Sequence, residues 1–142
     1  MEKQLFLDEE INRRLGALRA PDSRVSLMSV TAASVRFANL RAAVGAASAP
    51  SDTVGILGDG SIGVLSVRER VAESGFDIEN NFLPRLKAAL LASSHRRADN
   101  AIDLRFRAIH RWASEMKKPH DLIRTLLGTP TRSVKLLIGR PC

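Results

Sequence analysis

Thr53-Val-Gly-Ile-Leu-Gly-Asp-Gly-Ser-Ile-Gly-Val-Leu-Ser-Val67 reads as two short strands joined by a turn. Val54, Ile56, Ile62, Val64 and Leu65 favour extended backbone, and the Gly58-Asp59-Gly60-Ser61 run predicts a tight hairpin turn in which Asp-Gly supplies positive φ angles. A hairpin at this point means that two neighbouring strands of the fold are antiparallel. The elements on either side must then complete one sheet.

Upstream, Leu5, Leu7, Ile11, Leu15 and Leu18 recur at helical spacing, so residues 2–18 predict an amphipathic helix ended by Ala20-Pro21-Asp22-Ser23. Residues 24–31 place Val25, Leu27 and Val30 among serines and predict a first strand. From Ser34, the spacing of Val35, Phe37, Leu40, Val44 and Ala47 predicts a helix closed by Ala49-Pro50-Ser51-Asp52. Downstream, residues 69–75 read as a loop, and Asp77 or Asn80 is a candidate cap for a helix running to Ser93 with Pro84 in its first turn and Phe82, Leu86, Ala89 and Leu90 buried. Residues 102–112 alternate Ile102, Leu104, Phe106 and Ala108 with Asp103, Arg105 and Arg107, which predicts a strand with one apolar and one charged face. A short helix over 119–127, stopped by Gly128, and a last strand over 133–138 complete the chain.

The resulting order, helix-β-α-β-β-α-β-α-β, contains a split β-α-β-β-α-β unit. The predicted class is α+β: a ferredoxin-like or nucleotide-cyclase-like sandwich, with an antiparallel-rich sheet of about five strands and helices packed mainly on one face. Residues 1–22 are assigned to the leading helix and linker, and residues 23–142 to the α+β domain.

At 142 residues the chain is expected to form one domain with a sizeable core. No apolar run approaches the roughly 20 residues that span a bilayer, and Asp8-Glu9-Glu10 stands where a secretory signal would continue apolar, so a cytoplasmic location is expected. The single cysteine, Cys142, provides neither an internal disulfide nor a thiol cluster. His95, His110 and His120 match no metal-ligand spacing, and His110, near Trp112, is expected to be a packed strand-end residue. No Walker loop or nucleophile elbow occurs, and the glycines after Leu57 precede a strand where a dinucleotide fingerprint needs a helix.

The net charge of +7 is concentrated late: residues 82–142 carry thirteen basic and four acidic groups. Arg105 and Arg107 share a strand face, and Arg96, Arg97 and Arg111 lie close in sequence, so these five are the candidate anion-binding residues, against the plain alternative of a solvated basic face. The absence of Tyr and the 4% aromatic content leave few stacking surfaces for single-stranded nucleic acid.

The run from Pro50 to Leu65 resembles the hairpin region of GGDEF domains, the diguanylate cyclase family of bacterial signalling, where an Asp is followed after five residues by the signature and then by an apolar strand. Asp52, then Thr53 to Leu57, then Gly58 follow that spacing. The resemblance implies a fold with element order matching residues 8–139, in which acids of the hairpin and of the first-strand exit hold metal for GTP. The five signature positions are Gly58, Asp59, Gly60, Ser61 and Ile62, so Ser61 stands where the family has its metal-binding Glu. The first-strand exit, Val30-Thr31-Ala32-Ala33-Ser34, lacks a carboxylate, and two hard oxygen ligands for Mg²⁺ are missing together. The family's Arg-x-x-Asp product site becomes Ala49-Pro50-Ser51-Asp52, keeping the acid and losing the Arg.

The resemblance therefore implies a degenerate GGDEF-like domain: a non-catalytic regulatory or protein-interaction module, self-associating or bound to a protein partner, without catalytic residues, metal or cofactor. The alternatives are a nucleotide or cyclic-dinucleotide sensor that uses the basic surface, and a nucleic-acid-binding module.

Overall fold

The structure, a computed structural model, describes residues 13, 23–33, 35–68, 75–93, 101–115 and 119–137. The elements are β1 (Arg24–Ala32), α1 (Phe37–Ala47), β2 (Thr53–Ile56), β3 (Ile62–Arg68), α2 (Gly75–Ser93), β4 (Ala101–Trp112), α3 (Pro119–Leu127) and β5 (Arg132–Leu137), with a 3-10 turn at Ala113–Glu115. Apart from Arg13, which is helical, the expected leading helix lies outside the described residues.

The five strands form one sheet in the order β2-β3-β1-β4-β5, and every neighbouring pair is antiparallel. The β2–β3 hairpin and the β1–α1 connection therefore lie at the same end of the sheet. This is the predicted ferredoxin-like α+β arrangement, with β5 added beside β4.

Alternation along the strands assigns each side chain to a face. Met28, Val30, Ile62, Val64, Leu104 and Phe106 face α1 and α2, where they meet Leu40, Val44, Phe82 and Leu86. Phe82 stacks on Phe106 with ring centroids 6.4 Å apart. The opposite face carries Val25, Leu27, Leu65 and Ile109, and α3 covers it with Leu122, Ile123 and Leu126. Two helices thus pack on one face and α3 on the other, so the sheet is buried from both sides over its centre. This explains why β1 is nearly continuously buried from Val25 to Val30 and why its apolar alternation is broken only by serines.

Three local expectations change. α2 begins at Gly75, earlier than expected, which puts Pro84 inside the helix and not in its first turn. Pro84 and Asn80, four residues before it, are both exposed, so the carbonyl that loses its amide partner faces water, where the loss costs least. Ile78 extends the buried stripe by one turn for the same reason. α1 begins at Phe37, whose side chain is 43% exposed, because the buried stripe is Leu40, Ala43, Val44 and Ala47. Among the described residues no helix is long and apolar enough to cross a membrane.

Candidate functional site

The hairpin tip closes differently from a two-residue turn. Leu57 N donates to Ser61 O at 2.9 Å and Gly60 N donates to Leu57 O at 2.9 Å, leaving Gly58-Asp59-Gly60 as a three-residue loop. Gly60, with φ +86°, is the described glycine in the left-handed region, as expected of a turn followed by a glycine bulge. The Asp-Gly signal marked the hairpin correctly, and the positive φ falls on the glycine alone. Leu57, 1% exposed, packs with the α3 cluster and anchors the base of the loop.

Asp59 is the acid of this tip, and both its oxygens are engaged. Oδ1 accepts from Ser61 N at 3.0 Å and from Ser61 Oγ at 2.6 Å. Oδ2 accepts from Arg107 of β4 in a close ion pair. Ser29 of β1 donates to Ser61 Oγ at 2.9 Å, and the second terminal nitrogen of Arg107 donates to the Leu127 carbonyl at the end of α3, at 3.3 Å. One chain of polar contacts thus joins β1, the hairpin, β4 and α3. Partial burial pushes the Asp59 carboxyl up, but the Ser61 hydroxyl and amide and the Arg107 guanidinium outweigh it, and its pKa lies below the ordinary carboxylate value.

Register explains how Arg107 reaches so far. Gly55 pairs with Gly63, Gly63 with Ser29, and Ser29 with Arg107, all on the α3 face. Two glycines and a serine leave a corridor across the sheet that larger side chains would fill. The guanidinium side chain is 10% exposed, and its Nε is buried without a hydrogen-bond partner. In the sequence Gly55 and Gly63 carry no sign of this corridor, because only strand register sets them beside Ser29 and Arg107.

Of the five expected signature positions, Gly58, Asp59 and Gly60 form the loop, whereas Ser61 and Ile62 are buried at its base. The adjacent end of β1, Thr31-Ala32-Ala33, brings no carboxylate to them, and among the described residues no group of three potential metal-binding side chains occurs. Asp52 is 6% exposed as a side chain and is likewise engaged: it accepts from Ala49 N at 2.9 Å and from Arg68 of β3 at 2.9 Å. It fastens the α1–β2 turn to the sheet.

The five candidate arginines do not form one patch among the described residues. Arg105, Arg107 and Arg111 share the α3 face of β4, as alternation predicts. Arg107 is committed to Asp59, and Arg111 donates to the His110 carbonyl at 2.9 Å. Arg105 is exposed. Arg96 and Arg97 lie outside the described residues.

A second polar network lies on the opposite face and was not anticipated. His110 Nδ1 is 2.7 Å from Ser26 Oγ, its Nε2 is 2.7 Å from Glu79 Oε2, and the other Glu79 oxygen is held by Arg132 of β5. Arg132 also lies over the Phe106 ring, 5.1 Å from its centroid. A serine, a histidine and a carboxylate in series resemble a hydrolase triad, but Ser26 is 0% exposed, so no substrate carbonyl reaches its oxygen. The network ties α2 to β1, β4 and β5, and makes His110 the packed strand-end residue its position beside Trp112 suggested.

No family model, curated protein or solved structure matches this chain.

Proposed function

We propose that this chain is a non-catalytic regulatory or protein-interaction domain on a degenerate GGDEF-like scaffold. The observation that carries the reading is the engagement of Asp59 by Ser61 and Arg107, which leaves the hairpin tip without an acid directed at a metal-bound triphosphate. A catalytic hairpin needs at least one carboxylate oriented outward to neutralise charge developing on the phosphates. Here the acid is turned back onto the protein.

Support for the kinship comes from the sheet order, which sets the hairpin beside the central β1, the juxtaposition such a scaffold requires. The part-buried Asp52–Arg68 pair suits a retained scaffold better than a cyclic di-GMP site, because its acid is already satisfied. Exposed Phe37 and Leu91, on α1 and α2, offer apolar contact area for a protein partner or a second copy. The cytoplasm is the compartment that fits this role.

Calorimetric titration with GTP plus Mg²⁺, and separately with cyclic di-GMP, tests the reading. No saturable heat and no turnover are expected. Binding tighter than about 10 μM, roughly −7 kcal/mol, would overturn it in favour of a nucleotide sensor. Light scattering over a concentration series tests self-association, and a monomer throughout would remove that part of the proposal.

A further inference from the structure

At the end of the sheet opposite the hairpin tip, register places Arg68 of β3, Arg24 of β1 and Trp112 of β4 side by side. All three belong to the face that α1 and α2 cover, one step beyond the row of Ser66, Ser26 and His110. The Arg24 guanidinium lies over the Trp112 ring, 4.9 Å from its centroid.

The two arginines differ in their partners. Arg68 is neutralised by Asp52 at 2.9 Å, with Ser51 Oγ at 3.4 Å. Arg24 has no ion-pair partner among the described residues, and its Nε is buried with no hydrogen-bond acceptor. The nearby carboxylate of Glu115 is bonded to the Trp112 amide instead. A ring face attracts a cation but accepts none of the in-plane N–H donors of a guanidinium. The half-buried guanidinium of Arg24 is therefore short of oxygen acceptors among the described residues, while Arg68 turns the other way, toward Asp52.

The helix above adds to this deficit. Phe82 of α2 sits on Phe106 and Glu79 contacts His110, so toward its N-terminus α2 steps along β4 in the direction of Trp112. The positive end of its dipole points to the same end of the sheet.

We propose that Arg24, placed over the Trp112 ring and without a carboxylate among the described residues, is a binding site for a phosphate group. The planar fork of Arg24 offers paired N–H donors to two phosphate oxygens. Trp112 holds the guanidinium in place, so little side-chain freedom is lost when the anion arrives. A phosphate dianion gains more than a carboxylate because it brings two negative charges to a guanidinium and to the positive end of α2. This site is independent of the hairpin tip and of the proposed interaction role.

Trp112 is the single tryptophan of the chain, so its fluorescence reports directly on the group stacked against it. The experiment is a titration of the full chain with sodium phosphate at constant ionic strength, balanced with sodium chloride. A saturable emission change is expected, abolished in Arg24→Gln and weakened at least about tenfold in Arg24→Lys, which keeps charge but loses the paired donors. Arg111→Gln, on the other face of β4, retains it. Adenosine monophosphate in place of phosphate separates the sources: tighter binding assigns a nucleotide, equal binding a free phosphate, and both support the site. A response no different from that to chloride, or saturation unchanged in Arg24→Gln, overturns it. Should Arg24→Gln fail to fold, Arg24→Lys and the phosphate-dependent rise in Tm of the unaltered chain decide the question.

Discussion

Asp59→Asn removes one charge from the hairpin tip and preserves its shape. Its cost follows from the unequal burial of the two partners. Asp59 is 37% exposed as a side chain, and an exposed ion pair alone contributes about 0.2–1 kcal/mol. Arg107 is only 10% exposed, its Nε is already without a partner, and the one amide oxygen left at position 59 cannot serve both the Ser61 donors and Arg107, so Arg107 faces an NH2 donor or Ser61 loses its acceptor. Leaving a buried polar group under-satisfied costs about 1–3 kcal/mol, so the substitution is expected to cost about 2 kcal/mol at pH 7. For a domain of this size that is a fall in Tm of about 6 °C. Arg107→Met removes the other partner, and the double variant should be less destabilised than the sum by about 1 kcal/mol. The pH dependence has a definite sign. Because the folded carboxyl lies below the ordinary carboxylate value, the contribution is fully present above that value. It fades as pH falls through the folded pKa. Urea unfolding followed by far-UV circular dichroism at neutral pH and at a series of acid values measures it. The stability difference between the natural chain and Asp59→Asn should shrink only below the ordinary carboxylate pKa. A difference that is absent at pH 7, or that persists undiminished into strong acid, refutes the argument.

Gly60→Ala should destabilise by about 1 kcal/mol through its left-handed backbone, since no atom lies within 4 Å of the added methyl group. Gly45→Ala, inside α1 and equally unobstructed, should stabilise by about 0.5–1 kcal/mol, and thermal melts of the two variants should move in opposite directions. Leu126→Ala empties a fully buried position under α3 and should cost about 2–5 kcal/mol in denaturant unfolding. Glu79→Gln loses charge-assisted bonds to His110 and Arg132 and should cost about 1–3 kcal/mol, with amide exchange accelerated first in the N-terminal half of α2.

The alternation of residues 102–112 and the Asp-Gly hairpin were legible because each is set by neighbours within a few positions. The start of α2 was less so: a proline inside a helix is tolerated when its face is solvent, and that is a property of the packed structure, not of the local pattern. The clasp between Arg107 and Asp59 joins residues 48 apart, and the contact between His110 and Glu79 joins residues 31 apart. Both depend on strand register, which a list of charges does not contain. Alternation therefore places Arg105 and Arg107 on one face correctly, but it does not carry the commitment of Arg107 to Asp59 or the place of Arg111 on that same face. Ser26 and Ser29, read simply as polar interruptions of a strand, turn out to be hydrogen-bonded members of the two networks on opposite faces.

The two ends of the sheet now stand in opposite electrostatic conditions. At the hairpin end, acid and base are paired within the chain, and any anion drawn to Arg107 must compete with Asp59, which is tethered beside it. Its advantage is that of an intramolecular partner, whose effective concentration a dilute ligand does not match. At the far end, Arg68 has its acid and Arg24 has none among the described residues. Removing Asp59 would leave Arg107 nearly buried and thus poorly reachable, whereas Arg24 needs no removal to accept an oxyanion. If phosphate bound chiefly through Arg107, Asp59→Asn would strengthen binding and Arg24→Gln would leave it unchanged. The charge distribution requires the reverse order, because unsatisfied donors, and not the count of arginines on a strand, determine where an anion gains most.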